Sequence, residues 1–120
     1  RRQRQMCIRD SFEHRPGSHS WQGEHIGKWL HSSILSIQNQ TILNKSTDWR
    51  DEKLKKNKED IDKLVDRLLS TQLENGYMGT YAEKNRFMKI LESGSMGGWD
   101  VWTHRYNLYG LLTYEKILCQ

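Results

Sequence analysis

The stretch WDVWTHRYNLYGLLTYEKIL, residues 99–118, decides the fold class. Its second half predicts a helix that is apolar over much of its circumference, because apolar side chains fall at Tyr106, Leu108, Tyr109, Leu111, Leu112, Ile117 and Leu118. Such a helix needs packing partners on several sides. We therefore predict an all-α domain, of which this chain supplies only some of the helices.

Two further helices precede this stretch. A first helix over about residues 24–38 is predicted by apolar side chains at Ile26, Trp29, Leu30, Ile34 and Ile37. A second, the clearest of the three, is predicted by Leu54, Ile61, Leu64, Val65 and Leu68, and should stop before Asn75 and Gly76. Residues 39–50 are polar and should connect the two as an antiparallel hairpin. Trp29 and Trp102 continue helical apolar stripes and are predicted to lie in the core.

Composition and charge exclude several classes of protein. The 120 residues are 35% hydrophobic, with a mean hydropathy of −0.90 and no apolar run long enough for a membrane span. The net charge is +4, but residues 1–15 carry +3 of it, so a basic nucleic-acid-binding face is not expected on the folded part. We expect no membrane association, no nucleic-acid partner and no signal peptide. Cys7 and Cys119 are too few for a disulfide framework, so the sequence leaves the compartment and the localisation unknown.

The basic N-terminus is expected to be separate from the domain. Residues 1–11 are similar to translated sequencing-adapter peptides found in metagenomic reading frames. We predict that residues 1–17 are a non-native or disordered basic tail and that residues 18–120 are domain sequence. A genuine basic arm is the alternative for the tail.

Familiar catalytic motifs are missing. The segment 23–29, GEHIGKW, has the wrong glycine spacing for a phosphate loop and carries Trp29 where a serine or threonine is needed. Histidines recur without ligand spacing, so a zinc site built from this chain alone is not expected. No serine-hydrolase elbow is present, and Cys119 has no sequence neighbour that would activate it.

An aromatic and polar constellation points to carbohydrate. Five tryptophans in 120 residues is a high content, and several stand beside carboxylates and imidazoles. Aromatic rings stack on the C–H faces of sugars, while carboxylates and imidazoles bind their hydroxyls. The candidate substrate contacts are Glu24, His25, Trp99, Asp100 and His104. Helix N-terminal capping stays open as the alternative for Glu24 and Asp100, and a purely structural hydrogen bond stays open for His104.

Three blocks together resemble the N-terminal part of the glycoside hydrolase family 127 catalytic domain, the β-L-arabinofuranosidase-like proteins. The blocks are WQGEHIGKWLH (21–31), NGYMGTY (75–81) and WDVWTHRYNLYGLL (99–112), in order and at similar spacings. The resemblance implies an (α/α)6 toroid in which helical hairpins surround a central pocket. It also implies a retaining glycosidase that acts on β-L-arabinofuranosides or related plant glycans.

The resemblance implies a cysteine nucleophile in a zinc site formed by a glutamate and cysteines. Those positions belong to a later part of the family domain, so neither the nucleophile nor the zinc ligands are assigned in this chain. His104 is carried over as a sugar hydroxyl contact, with Glu24, His25, Trp99 and Asp100 beside it. We expect the chain to be an inactive portion of such an enzyme. A non-catalytic helical interaction module, which docks a partner on its apolar third helix, is the alternative.

Overall fold

A computed structural model describes residues 12, 23–43, 52–90, 94 and 96–119. Three long helices dominate these ranges: α1 is Glu24–Leu43, α2 is Glu52–Ser70 and α3 is Trp99–Leu118. A short 3-10 helix, Glu83–Asn85, lies in the segment between α2 and α3. The described residues form no multi-residue strand, only an isolated bridge between Ile90 and Met96. The all-α prediction is therefore confirmed, while the toroid stays a prediction.

The bounds of the first two helices differ from the prediction. α1 continues five residues past position 38, although its last residues Ile42 and Leu43 are strongly exposed. The apolar stripe therefore ends while the helix continues, and this is why the pattern predicted too early a stop. α2 ends at Ser70, where the Thr71 N–H donates to the Leu68 carbonyl at 3.1 Å. Gly76 adopts a left-handed φ of 84°, so it forms a separate turn beyond that end.

The main core lies between the three helices. Its buried apolar side chains are Phe12, Ile26, Leu30, Ile34, Ile37, Leu54, Ile61, Val65, Leu68, Met78 and Leu118. Phe12 belongs to the segment 1–17, of which no other residue is described, so the predicted tail otherwise lies outside the described residues. The predicted connection between α1 and α2 also falls largely outside them. α2 is further tied to α3 by the Tyr114 hydroxyl, which donates to Asp62 Oδ1 at 2.8 Å.

α1 and α3 cross with their backbones almost in contact. A Cβ on Gly27 would lie 2.1 Å from the carbonyl carbon and oxygen of Tyr106, and one on Gly110 would lie 3.0 Å from Leu30 Cβ. Only glycine allows this approach at position 27. The pairs Glu24 with Trp102 and His31 with Thr113 advance together along both helices, so α1 and α3 are parallel.

Because of this close crossing, α3 buries a different face from the one that its apolar residues predict. The face toward α1 is small or polar, since Thr103, Asn107 and Gly110 are buried there, whereas Leu108 and Leu112 are exposed. The prediction that Trp29 and Trp102 are core residues was wrong, because both keep nearly two fifths of their surface exposed. The close backbones of α1 and α3 leave no room between them for a side chain as large as Trp102, and Trp29 lies instead on an open groove beside α2.

Candidate functional site

The hydroxyl of Tyr77 is the centre of a buried hydrogen-bond cluster between the 77–87 segment and α3. It donates to Oδ1 of Asp100 at 2.8 Å and accepts the backbone N–H of Tyr81 at 3.0 Å. Tyr77 and Tyr81 are both buried, and a side chain on Gly79 would strike the Tyr77 ring. The glycine-rich sequence NGYMGTY thus folds tightly around one phenol.

Asp100 holds the segment from the α3 side. Its side chain is 1% exposed, and its Oδ2 accepts the backbone N–H of Phe87 at 3.2 Å. Phe87 has a left-handed φ of 57°, an uncommon conformation for a bulky residue. Burial raises the pKa of the Asp100 carboxyl, and the bonds from Tyr77 and Phe87 offset part of that rise. Asp100 therefore binds the loop and does not cap α3, whose N-cap is Gly98.

His104 uses both ring nitrogens. Its Nε2 accepts the backbone N–H of Met78 at 2.9 Å, and its Nδ1 lies 2.7 Å from the carbonyl oxygen of Asp100. A proton on Nδ1 and a lone pair on Nε2 satisfy both bonds at once. The ring also packs against Tyr77, with centroids 5.0 Å apart. These contacts favour the structural interpretation of His104, and its sugar contact stays a prediction.

Asn107 completes the attachment and was missed in the sequence. Its Nδ2 donates to the carbonyl of Met78 at 3.0 Å, so α3 binds both backbone polar groups of that residue. Asn107 is fully buried, and among the described residues its Oδ1 has no hydrogen-bond partner. A polar side chain on the inner face of a largely apolar helix was the available signal.

Arg86 closes the other end of the segment. Its guanidinium lies 4.1 Å from the centroid of the Tyr77 ring, and its Nε donates to the carbonyl of Tyr81 at 3.2 Å. Burial and the nearby Asp100 carboxylate raise the pKa of Tyr81 to about 12, and they raise that of Tyr77 further. Both phenols therefore stay protonated above pH 10, where an exposed tyrosine ionises.

A second cluster lies where α1 begins, on a more open surface. Glu24 accepts the indole N–H of Trp102 on Oε2 and pairs with Lys28 through Oε1 at 2.9 Å. The rings of Trp99 and Trp102 meet edge to face at 6.5 Å, and those of Trp102 and Tyr106 meet at 5.4 Å. We call this set, Trp99, Trp102 and Tyr106 with Glu24 and Lys28, the aromatic face.

The aromatic face is accessible and charged. Trp99 and Trp102 are 37% and 38% exposed, whereas the Glu24 side chain is only 13% exposed. The ammonium of Lys28 lies 4.6 Å from the centroid of the Tyr106 ring. The face therefore presents aromatic surface beside a carboxylate whose position is fixed by two partners.

The five predicted contacts fall into two groups. Asp100 and His104 share the buried cluster under the 77–87 segment, and Glu24 and Trp99 both contact Trp102 in the aromatic face. His25 is half-buried beside Glu24 in the first turn of α1. The structure therefore does not join all five in one pocket.

The described ranges hold no candidate metal site, and the zinc ligands that the resemblance implies belong to a later part of the family domain. Within them, no group of three or more histidine, cysteine, aspartate and glutamate side chains is placed to hold a metal ion. Cys119 is exposed at the end of α3. None of the helices described is both long and apolar enough to cross a bilayer.

Comparisons with known proteins identified no relative. The chain matched no family model, no curated protein and no solved structure. The resemblance to glycoside hydrolase family 127 therefore stays a prediction from the sequence blocks.

Proposed function

We propose that this chain is part of a retaining glycoside hydrolase of the family 127 type, acting on β-L-arabinofuranosides or related plant glycans. In this proposal the aromatic face is a wall of the sugar-binding site. The observation that carries the proposal is the exposed pair Trp99 and Trp102 beside the fixed carboxylate of Glu24.

The chemistry of the aromatic face suits a pentose. Exposed indole rings offer flat apolar surface for the C–H face of a sugar. Glu24 has four lone-pair positions and uses one for Trp102 and one for Lys28, so it retains acceptors for sugar hydroxyls. Because both partners hold the carboxylate in place, little side-chain entropy is lost when a ligand binds.

The helix directions agree with the proposed architecture. In a ring built from successive helical hairpins, every second helix runs in the same direction. α1 and α3 are parallel, as such a ring requires of the first and third helices. The Gly27 and Gly110 crossing brings the start of α1 to Trp102 and thereby assembles the aromatic face.

Asp100 and His104 have an indirect role in the proposal. They bind the backbone of residues 78 and 87, and they would therefore position a loop at the edge of the site. Retention needs a nucleophile and an acid/base group on opposite sides of the glycosidic bond. Both groups, and the zinc, are assigned to a later part of the family domain and not to this chain, so in this proposal the chain contributes binding and not bond cleavage.

Calorimetric titration with methyl β-L-arabinofuranoside tests the proposal. A small sugar on one open wall should bind weakly, on the order of 1 mM, which corresponds to about −4 kcal/mol. We expect Trp102→Ala to weaken binding at least about tenfold, or about 1.4 kcal/mol. Trp29→Ala is the matched control, because Trp29 is equally exposed but lines a different groove, between α1 and α2. Absence of binding, or equal losses in both variants, would contradict the proposal.

An apolar groove on α3 favours the alternative function, a helical interaction module. The groove has a volume of about 500 Å³ and is lined mainly by apolar groups of Phe87, Val101, Leu108, Tyr109 and Leu112. Exposed apolar surface of this kind marks interaction sites. If the protein binds no sugar but unfolds cooperatively as a stable unit, the interaction module becomes the better explanation.

A further inference from the structure

One side of α3 carries a row of exposed residues that no described element covers. Val101, Arg105, Leu108, Leu112 and Glu115 are all exposed, and they follow one another at spacings of four, three, four and three. This is the spacing of residues that form the contact line between two packed helices. We call these five residues the α3 seam.

The seam forms the floor of the apolar groove on α3. Val101, Leu108 and Leu112 are 65%, 55% and 63% exposed, and Phe87 adds an exposed ring from the neighbouring segment. Isolated exposed leucines are ordinary on protein surfaces, but a continuous apolar line along one helix is a recurrent docking feature. The α3 seam is therefore suited to packing against a helix of another molecule.

The order of residues along the α3 seam indicates which kind of partner helix would fit it. Arg105, Leu108, Leu112 and Glu115 are symmetric about position 110, because Leu108 and Leu112 flank it at two residues and the charges flank it at five. In an antiparallel pair of identical helices centred there, Leu108 meets Leu112 of the second copy. The same register places Arg105 of each copy against Glu115 of the other copy, which gives two such ion pairs in each dimer.

We propose that a second copy of this chain binds antiparallel along the α3 seam. A parallel pair would place Arg105 against its own copy and Glu115 against its own copy, and like charges in direct opposition are destabilising. The antiparallel pair places each arginine beside a glutamate. It also places the positive end of each helix dipole beside the negative end of the other, which is favourable. The resulting two-fold contact is closed and self-complementary, as in most homodimers.

Arg105 is available for this pairing. Its guanidinium lies 5.3 Å from the ring centroid of Trp102 and 5.8 Å from that of Tyr109, both at the outer range of cation–π contact. The guanidinium carries five N–H donors at the end of a long side chain, so it can reach a carboxylate of the second copy. The inference does not rest on sugar binding, although Arg105 also lies 5.9 Å from the ring centroid of Tyr106 in the aromatic face.

The contact should be weak. A pair of single helices buries less than the roughly 1,200 Å² at the low end of specific interfaces. Association is therefore expected in the micromolar range or weaker, with a clear dependence on concentration.

Sedimentation equilibrium of the 120-residue chain over a wide concentration range tests the proposal. Arg105→Glu and Glu115→Arg should each weaken the dimer about tenfold, because two attractive pairs become repulsive. The double variant Arg105→Glu with Glu115→Arg should restore wild-type association. Lys55→Glu, an exposed charge reversal on α2, is the matched control and should change nothing. A wild-type chain that stays monomeric, or a double variant that does not recover, would overturn the proposal.

Cysteine cross-linking tests the antiparallel register separately. Leu108→Cys and Leu112→Cys are prepared in a background with Cys7→Ser and Cys119→Ser, and the two proteins are mixed and oxidised. The proposal predicts mainly the mixed dimer, because position 108 faces position 112 of the second copy. Circular dichroism checks that both variants keep their helices. Preferential linkage of each variant to itself would indicate a parallel pair and would contradict the proposal.

Discussion

Replacing Tyr77 with phenylalanine removes one hydroxyl and two hydrogen bonds from the buried cluster. The hydroxyl donates to Asp100 at 2.8 Å and accepts the Tyr81 N–H at 3.0 Å. A hydrogen bond to a carboxylate contributes about 1.5–3 kcal/mol, and a buried amide that loses its acceptor costs about 1–3 kcal/mol. Because these two effects share one group and do not add fully, we expect Tyr77→Phe to lower the free energy of unfolding by about 3 kcal/mol.

The pH dependence of this effect gives a further check. The Tyr77 bond stabilises the ionised form of Asp100, so its loss raises the pKa of that carboxyl further above the ordinary value. A raised folded-state pKa means that stability is present at low pH and is lost as the pH rises through that pKa. The cost of Tyr77→Phe should therefore be smaller in acid than at neutral pH.

Urea unfolding followed by tryptophan fluorescence measures both quantities. Tyr109→Phe is the matched control, because the Tyr109 side chain is 49% exposed and its loss of a hydroxyl should change stability by less than about 0.5 kcal/mol. The reasoning would be refuted by a Tyr77→Phe cost as small as that of the control, or by a cost that grows toward acid pH.

The remaining predictions concern the helix crossing and the buried phenols. Gly27→Ala should destabilise the protein by about 2 kcal/mol or more, since its Cβ would lie 2.1 Å from the backbone of Tyr106 and overpacking exceeds the roughly 1 kcal/mol gain in helix propensity. Gly110→Ala meets its nearest atoms at 3.0 Å and should cost clearly less, so thermal unfolding must rank the two variants in that order. Burial raises the pKa of Tyr81 from the ordinary 10.0 to about 12, so the stabilising contribution of the buried Tyr81 phenol is intact below pH 10 and is lost as the pH rises through 12. Phenolate absorbance, recorded alongside circular dichroism, should show Tyr77 and Tyr81 ionising only as the protein unfolds. If every tyrosine instead ionises near pH 10 while the protein is still folded, this expectation is contradicted.

The helices could be predicted because their signal is local. The periodic apolar residues of α1 and α2 face the core at Ile34, Ile37, Ile61 and Val65 as the pattern indicated. Helix ends were less predictable, since α1 continues through the exposed pair Ile42 and Leu43 without an apolar face to mark it.

The orientation of α3 could not be predicted from periodicity. Hydrophobicity alone places Leu108 and Leu112 inside, but the Gly27 and Gly110 crossing admits only small or hydrogen-bonded side chains between α1 and α3. This is why Asn107 is buried and Leu108 is exposed. A close backbone contact depends on two glycines 83 positions apart, which no local pattern relates.

The candidate site was predicted in its residue types more than in its arrangement. Glu24 and Trp99 lie in the aromatic face, and the roles of Asp100 and His104 as anchors follow from the backbone N–H groups of Phe87 and Met78. Those partners depend on how the 77–87 segment folds. The sequence could therefore name candidate side chains but not which of them would bind the backbone of the 77–87 segment.

Indole N–H signals in a nitrogen-15 correlation spectrum give the most direct test of the central claim, that the aromatic face binds sugar. The five tryptophans are assigned by single substitutions, and the protein is titrated with methyl β-L-arabinofuranoside. The account predicts saturable shifts at Trp99 and Trp102, with Trp29 unchanged. No shift at any indole, or a shift confined to Trp29, would contradict it.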